Sequence, residues 1–195
     1  MKKIGFLSFG HWTPAPYSDV RTASNALLQS IELAVAAEEL GLDGAYFRVH
    51  HFARQLGSPF PLLAAVGART RRIEIGTAVI DMRYENPMYM AEDAGAADII
   101  AGGRLQLGIS RGSPEQVIDG WRYFAYAPHD GETEADMARR QAEVFLELVK
   151  ELAGDEAIKA ADTLLLTIPN QLGVDYDAHV LEGILKYVAP DFGWR

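Results

Sequence analysis

The sequence predicts a parallel α/β fold built from βα units, and three observations point there. Short runs rich in β-branched and aromatic residues alternate with amphipathic stretches of helical period. The helical stretches are punctuated by caps, prolines and glycines where a helix should start or stop. Polar residues collect just after the strand runs, at Gly10-His11-Trp12, His50-His51, Thr77 to Asp81 and Ser110-Arg111-Gly112.

The first strand is expected over Lys3–Phe9. A helix from Ser24 to Leu40 follows, with Leu27, Leu28, Ile31, Ala34 and Val35 on one stripe and Gly41 as its stop. Ala45–Val49 is the second strand. Ser58-Pro59 reads as N-cap and first helical residue of a helix reaching Thr70. Ile73–Ile80 is the third strand, and Asn86-Pro87 repeats the cap-plus-proline device before a helix that Gly102-Gly103 ends. Leu105–Ser110 is the fourth strand, and a loop rich in glycine and proline leads to a long helix over Glu134–Leu152. Thr163–Ile168 is the fifth strand, and Ala178–Val188 a closing helix halted by Pro190.

Such units close as an open doubly wound sheet or as a barrel. The open sheet carries a glycine-rich turn after its first strand, and Gly10-His11-Trp12-Thr13-Pro14 lacks that pattern. No phosphate loop ending in Lys-Ser or Lys-Thr appears either. A barrel places function at the carboxyl ends of its strands, where the polar residues cluster, so the barrel is favoured.

Composition bounds the partners. The 195 residues are 49% hydrophobic and 23% charged, enough apolar content for a real core, and cysteine is absent. That excludes disulfides, thiolate metal sites and cysteine nucleophiles within this chain. The net charge of −9 is uneven: residues 1–72 carry 8 basic and 5 acidic side chains (+3), residues 73–195 carry 10 and 22 (−12). An acidic surface repels phosphate backbones and anionic lipid, so nucleic acid and membrane are excluded as expected partners. The start at Met1-Lys2-Lys3 leads into a run broken by Gly10 and Pro14 before a signal-peptide core could complete, and a cytoplasmic protein is expected.

Three constellations could carry chemistry. His50-His51 follows the second strand, and imidazole can act as base or acid near neutrality. Strand alternation would turn only one of the pair toward a central pocket, and a hydrogen-bonded loop histidine is the plainer reading. No carboxylate or third histidine stands at ligand spacing, so no metal site is expected. Arg111, after Ser110, could hold a phosphate through its planar fork or simply pair with a nearby acid. Thr77, Ala78 and Val79 are small or β-branched, which lets a flat ring approach the backbone but also suits a buried strand. Tyr84, Trp121, Tyr123, Phe124 and Tyr126 either wall a pocket or pack as a satellite core.

Four stretches together resemble the luciferase-like, flavin-dependent monooxygenases. They are Ala37-Glu38-Glu39-Leu40-Gly41-Leu42-Asp43 running into His50-His51-Phe52; Arg69-Thr70-Arg71-Arg72-Ile73-Glu74-Ile75-Gly76-Thr77-Ala78-Val79; Asn86-Pro87 through Ala91-Glu92-Asp93; and Gly103-Arg104-Leu105-Gln106-Leu107-Gly108-Ile109-Ser110-Arg111-Gly112. The resemblance implies a TIM barrel whose first half is residues 1–152, with residues 155–195 resembling the family's last strand and helix in one domain. The family normally has well over a hundred residues between those parts. By the same resemblance, flavin mononucleotide (or a deazaflavin) sits at the carboxyl end of the barrel, with His50 as the active-site histidine and His51 beside it. Thr77, Ala78 and Val79 would form the wall under the flavin ring, where a non-proline cis peptide is frequent. Ser110 would flank the flavin and Arg111 would touch its phosphate. The family often has Glu before the histidine pair, and here that position is Val49. The implied activity is oxygenation of a small organic substrate by reduced flavin and oxygen, with a flavin reductase as partner. A shortened relative that binds flavin without turnover, or an oligomeric half-barrel, are the alternatives.

Five strands cannot close an eight-stranded barrel, so self-association is expected as a homodimer or higher oligomer. The fifth strand is expected beside the first. That would leave the edge of the fourth open through Leu105, Leu107 and Ile109.

Overall fold

A computed structural model describes residues 4–110, 119–152 and 165–166. The elements run β1 (Gly5–Ser8), α1 (Ala23–Glu39), β2 (Gly44–Phe47), α2 (Pro59–Arg69), β3 (Glu74–Asp81), α3 (Pro87–Ala101), β4 (Leu105–Ser110), a 3-10 helix (Gly120–Phe124), α4 (Glu134–Leu152) and β5 (Leu165–Leu166). The five strands form one sheet in the order β1-β2-β3-β4-β5, with every pairing parallel. The closing helix expected over Ala178–Val188 lies outside the described residues, as does most of the fifth strand's expected span.

The caps explain the helix boundaries. Asn86 accepts from the backbone N–H groups of Met88 (3.0 Å) and Tyr89 (3.2 Å), and Pro87 opens α3. Gly102, at φ 69°, ends it in the left-handed region that only glycine enters without strain. Thr22 caps α1 by accepting from Asn25 N at 3.1 Å. Ser58 holds the N-cap position of α2, but its hydroxyl makes no cap bond, so Pro59 alone marks that start.

Two expectations fail here. Of the stripe expected on α1, Ala34 is buried and Ile31 packs on the core, but Leu27 and Leu28 remain exposed, and Ala26, Ser30 and Ala37 are the helix's other buried residues. Small residues let the helix lie close to its neighbours, a packing criterion that hydrophobicity alone does not encode. The fifth strand does not pair with the first; Leu165 and Leu166 sit opposite Gly108 and Ile109 of β4. Strand order therefore follows chain order, and the β4 edge expected to be open is occupied.

The sheet has two unlike faces. Ala45, Phe47, Ile75, Ile80 and Ile109 belong to the main core with residues of α1, α2 and α3, and Leu105 and Leu107 pack against it. These residues share one side of the pleat by register, so the β4 leucines point toward helices rather than along an edge. The opposite face carries Leu7, Tyr46, Glu74, Gly76, Gln106 and Gly108. Leu7 is 47% exposed there. Tyr46 donates its hydroxyl to Glu74 Oε2 at 3.2 Å, and burial together with the Glu74 charge pushes the phenol up to about 12. On this bare face a Cβ at Gly76 would lie 2.1 Å from Gln106 O, and one at Gly108 would lie 2.2 Å from Thr77 O. Only glycine permits that approach between neighbouring strands.

The amino end of the sheet is stapled by two charged side chains. Arg104 uses all five of its donors: Nε to Ala101 O (2.6 Å), Nη1 to Thr70 Oγ1 (2.9 Å) and Ile73 O (2.7 Å), Nη2 to Gly67 O (2.9 Å) and Thr70 O (3.0 Å). The Glu38 carboxylate accepts from the backbone N–H groups of Arg71, Arg72 and Ile73 at 2.6–2.9 Å. Together they tie α1, the end of α2 and the start of β3 to one another, which sets the height at which the strand ends emerge on the other side.

Candidate functional site

The site is built where β1 to β4 end. Beyond β2 the ladder continues for two residues, with Arg48 N donating to Ser8 O (2.9 Å) and Val49 N to Val79 O (3.3 Å). The chain then turns, and His50 N donates to Leu56 O at 2.9 Å. His50 and His51 therefore lie on a turn, and strand alternation does not govern them. Both feel the carboxylate of Asp81.

Asp81 closes β3 opposite Ser110 and accepts from Arg83 N and Nε, each at 3.0 Å from Oδ1. Burial lowers the pKa of His50 below its usual 6.5, and the Arg48 charge and His11 add to this while Asp81 opposes it. Burial also lowers His51, with Asp81 opposing and His50 and Arg83 adding. Near neutral pH both imidazoles are therefore mainly uncharged and able to accept a proton. On the β1 side, His11 stacks on Phe9 at 5.7 Å and lies 2.7 Å from Gln55 Nε2, while the Arg48 guanidinium sits over the Phe9 ring at 5.2 Å.

The three β3 residues divide. Thr77 is fully buried on the helix side and donates its hydroxyl to Gly108 O at 2.7 Å. It braces β3 against β4 rather than offering a free hydroxyl. The peptide between Ala78 and Val79 is cis, at the place the resemblance implies, and the β3–β4 register shifts there. Val79 Cγ1 lies 3.4 Å from where a Gly108 Cβ would be, so Val79 and the bare Gly108 backbone share the open side. Ser110 is buried beside Asp81, its carbonyl accepting from Met82 N at 2.9 Å. Arg111 lies outside the described residues.

An aromatic cluster covers the other flank. Tyr84, Trp121 and Met137 are buried together with Phe124 and Tyr126 packed on them, which is the satellite core the sequence allowed. Trp121 Nε1 donates to Glu134 Oε1 at 2.8 Å, docking the 3-10 helix on α4. The cluster also reaches the histidines. Phe124 meets the His51 ring edge-on at 4.9 Å and lies flat on Tyr84 at 4.4 Å, and Tyr84 meets His51 at 5.9 Å. His51 Nε2 is buried there without a hydrogen-bond partner.

Sequence reading passed over Asp81 and Glu85. Asp81 stood within the strand-end set but was not singled out, and its place opposite Ser110 needed the β3–β4 register. Burial pushes Glu85 up from 4.5 to about 7, and the charges of Asp81 and Asp93 push the same way. A folded pKa above the unfolded one means the native state keeps a proton that the unfolded chain releases. This group's contribution to stability is thus present below pH 4.5 and is lost as pH rises to about 7. Glu85→Gln is expected to be more stable than the parent at pH 8 by about 2–3 kcal/mol, with the gap vanishing near pH 4. Denaturant titrations across that range check it, and parallel stability curves for the two proteins would refute it.

Among the described residues no three His, Asp or Glu side chains gather to share a metal ion, and no helix is long and apolar enough to cross a membrane.

Parallel βα units with small residues, histidines and an acid at the carboxyl ends of the strands are the architecture of one part of a TIM barrel. The sequence profile described as luciferase-like monooxygenase matches residues 6–167, and the chain belongs to that family. It is 33% identical over 135 residues to 4-hydroxyprotoasukamycin monooxygenase of Streptomyces nodosus subsp. asukaensis, covering 68% of this chain and 34% of that one. Monooxygenase RslO1 from Streptomyces bottropensis superposes with a TM-score of 0.64 at 28% identity, over 80% of this chain and 44% of that one. The oxygenating constituent of 3,6-diketocamphane monooxygenase from Pseudomonas putida, solved with FMN, superposes with a TM-score of 0.60 at 21% identity, over 76% of this chain and 39% of that one. The chain thus spans about a quarter to under half of the length of the relatives it matches.

Proposed function

We propose that the chain forms the flavin-facing part of a monooxygenase that oxygenates a small organic substrate with reduced flavin and dioxygen. The observation that carries this reading is the pairing, at one sheet end, of a flat small wall with a neutral histidine. Ala78, Val79 and Gly108 put small side chains and backbone on the open side of the strand ends, and His50 follows β2 at that same end, close enough to feel the charge of Asp81. These residues fit a flavin. FMN is favoured over a deazaflavin because the P. putida relative was solved with FMN.

Reduced flavin, when bound, supplies the electrons that activate oxygen. The residues present supply the rest. Ala78 and Val79 set the plane in which a ring can lie, and Ser110 bounds its edge. His50 accepts or returns a proton at its imidazole, which its lowered pKa keeps uncharged. The aromatic cluster keeps water from that flank. A separate flavin reductase is part of the reading, since that relative is itself described as an oxygenating constituent. Arg111 is assigned to the flavin phosphate by resemblance. Self-association that covers the bare sheet face is included, with Leu7 and Phe9 47% and 40% exposed.

Flavin titration of the purified chain tests the reading. FMN is expected to bind with perturbed visible absorption, and Arg111→Ala to weaken it by about 1.5–3 kcal/mol. An unchanged dissociation constant removes Arg111 from the site. Absence of FMN binding, in a preparation that light scattering shows to be folded and associated, overturns the flavin reading. Binding without oxygen consumption on adding reduced FMN and substrate candidates would leave a flavin carrier without turnover.

A further inference from the structure

We propose that the aromatic cluster over His51 is the substrate end of the site, and that it takes a planar aromatic molecule bearing a hydroxyl or carbonyl oxygen. This rests on the flavin reading above, which makes the bound ring the molecule to be oxygenated. Four observations carry it. His51 Nε2 is buried with no hydrogen-bond partner, and a native structure leaves few such atoms unexplained. The rings around it are Phe52, Tyr84 and Phe124, which meet it edge-on or tilted and offer no partner to that nitrogen, so the position on Tyr84 that Phe124 fills is the slot a flat molecule would take.

Phe124 already occupies the slot as a ligand ring would. It stacks on Tyr84 with centroids 4.4 Å apart and planes 11° apart, while its edge faces His51. The segment that holds it there is strained at both ends. Asp119 and Ala125, which flank the 3-10 helix, have φ of 55° and 59°, and Phe52 across the slot has φ of 58°. Left-handed backbone at three non-glycine residues marks a conformation that the surroundings enforce. Phe124 is therefore an internal stand-in. When it swings out on its two strained ends, a ring can stack on Tyr84 and place an oxygen at His51 Nε2. Phe52, 41% exposed, and Tyr123, 75% exposed, form a tilted pair at 5.2 Å that would receive the ring on its way in.

An aliphatic chain gains nothing from the stack, and a bare hydrocarbon ring leaves the nitrogen unpaired. The selectivity is therefore readable with three probes titrated calorimetrically into the full chain: 2-naphthol, naphthalene and decanal. FMN affinity is followed separately by flavin fluorescence. We expect 2-naphthol to bind at least tenfold tighter than either other probe. Phe124→Ala removes the internal competitor and should tighten 2-naphthol at least threefold, and His51→Phe should bring 2-naphthol down to the level of naphthalene. FMN affinity should not change in either variant. Equal affinities for the three probes, or weaker 2-naphthol binding in Phe124→Ala, overturn the proposal. If Phe124→Ala fails to melt cooperatively, Phe124→Val, which also vacates the stacking position on Tyr84, gives the same reading. FMN failing to bind while the naphthol preference holds would sink the flavin reading and leave the aromatic slot standing.

Discussion

Replacing Arg104 with alanine is expected to lower the unfolding free energy by about 3 kcal/mol. The guanidinium makes five hydrogen bonds, and four of its acceptors are backbone carbonyls at Gly67, Thr70, Ile73 and Ala101. Truncation leaves those carbonyls facing a gap at the seam between α2, β3 and α3, where water can reach only some of them. The expected loss is well below five full hydrogen bonds, because the side chain is only half-buried and each bond is worth little net of its exchange with water. Arg104→Lys keeps the charge but has three rotatable donors in place of a planar fork of five, and should lose about half as much. Urea unfolding midpoints at constant slope measure both. A loss under about 1 kcal/mol in the alanine variant would mean that solvent replaces the guanidinium without penalty.

His50→Ala should slow flavin-dependent oxygenation by roughly 100-fold or more while leaving FMN affinity nearly unchanged. The imidazole follows β2 at the carboxyl end of the sheet, and its depressed pKa makes it a proton acceptor at neutral pH. Activity that depends on it should hold from pH 7 upward and fall as pH drops through a value below 6.5. Steady-state rates across pH, beside flavin titrations at each point, separate the roles. Equal losses in rate and in flavin affinity would make His50 a structural residue. A rate that ignores pH between 5 and 8 would move the proton transfer to another group.

How much of this was legible in the sequence follows from the range of the interactions concerned. Asn86-Pro87 and Gly102 are local signals, and α3 begins and ends where they stand. The strand runs were legible for the same reason, since alternation and β-branching are read within a few residues. Arg104 was visible only as one letter of a matching stretch; its five partners come from three segments up to 37 residues away. The α1 stripe was misread because alanine and serine score poorly as core yet pack closest. The position of the fifth strand was taken from the complete barrel, whereas here β4 offers the free edge that a short strand can pair with. His50 and His51 were placed correctly at a strand end, but the turn that frees both of them from alternation depends on the bond to Leu56, five or six residues on.

The two backbone approaches at Gly76 and Gly108 bear on what can lie against the bare face. Side chains at those positions would wedge the strands apart on that side, and their absence lets the strands converge. Gly5 and Gly44, paired to each other at the amino end, have no room for a methyl either: a Cβ on Gly5 would stand 2.8 Å from Gly44 O. A close approach to the neighbouring strand is therefore written into β1, β3 and β4, one glycine to each. Whatever completes this surface meets backbone rather than side chains at Gly5, Gly76 and Gly108.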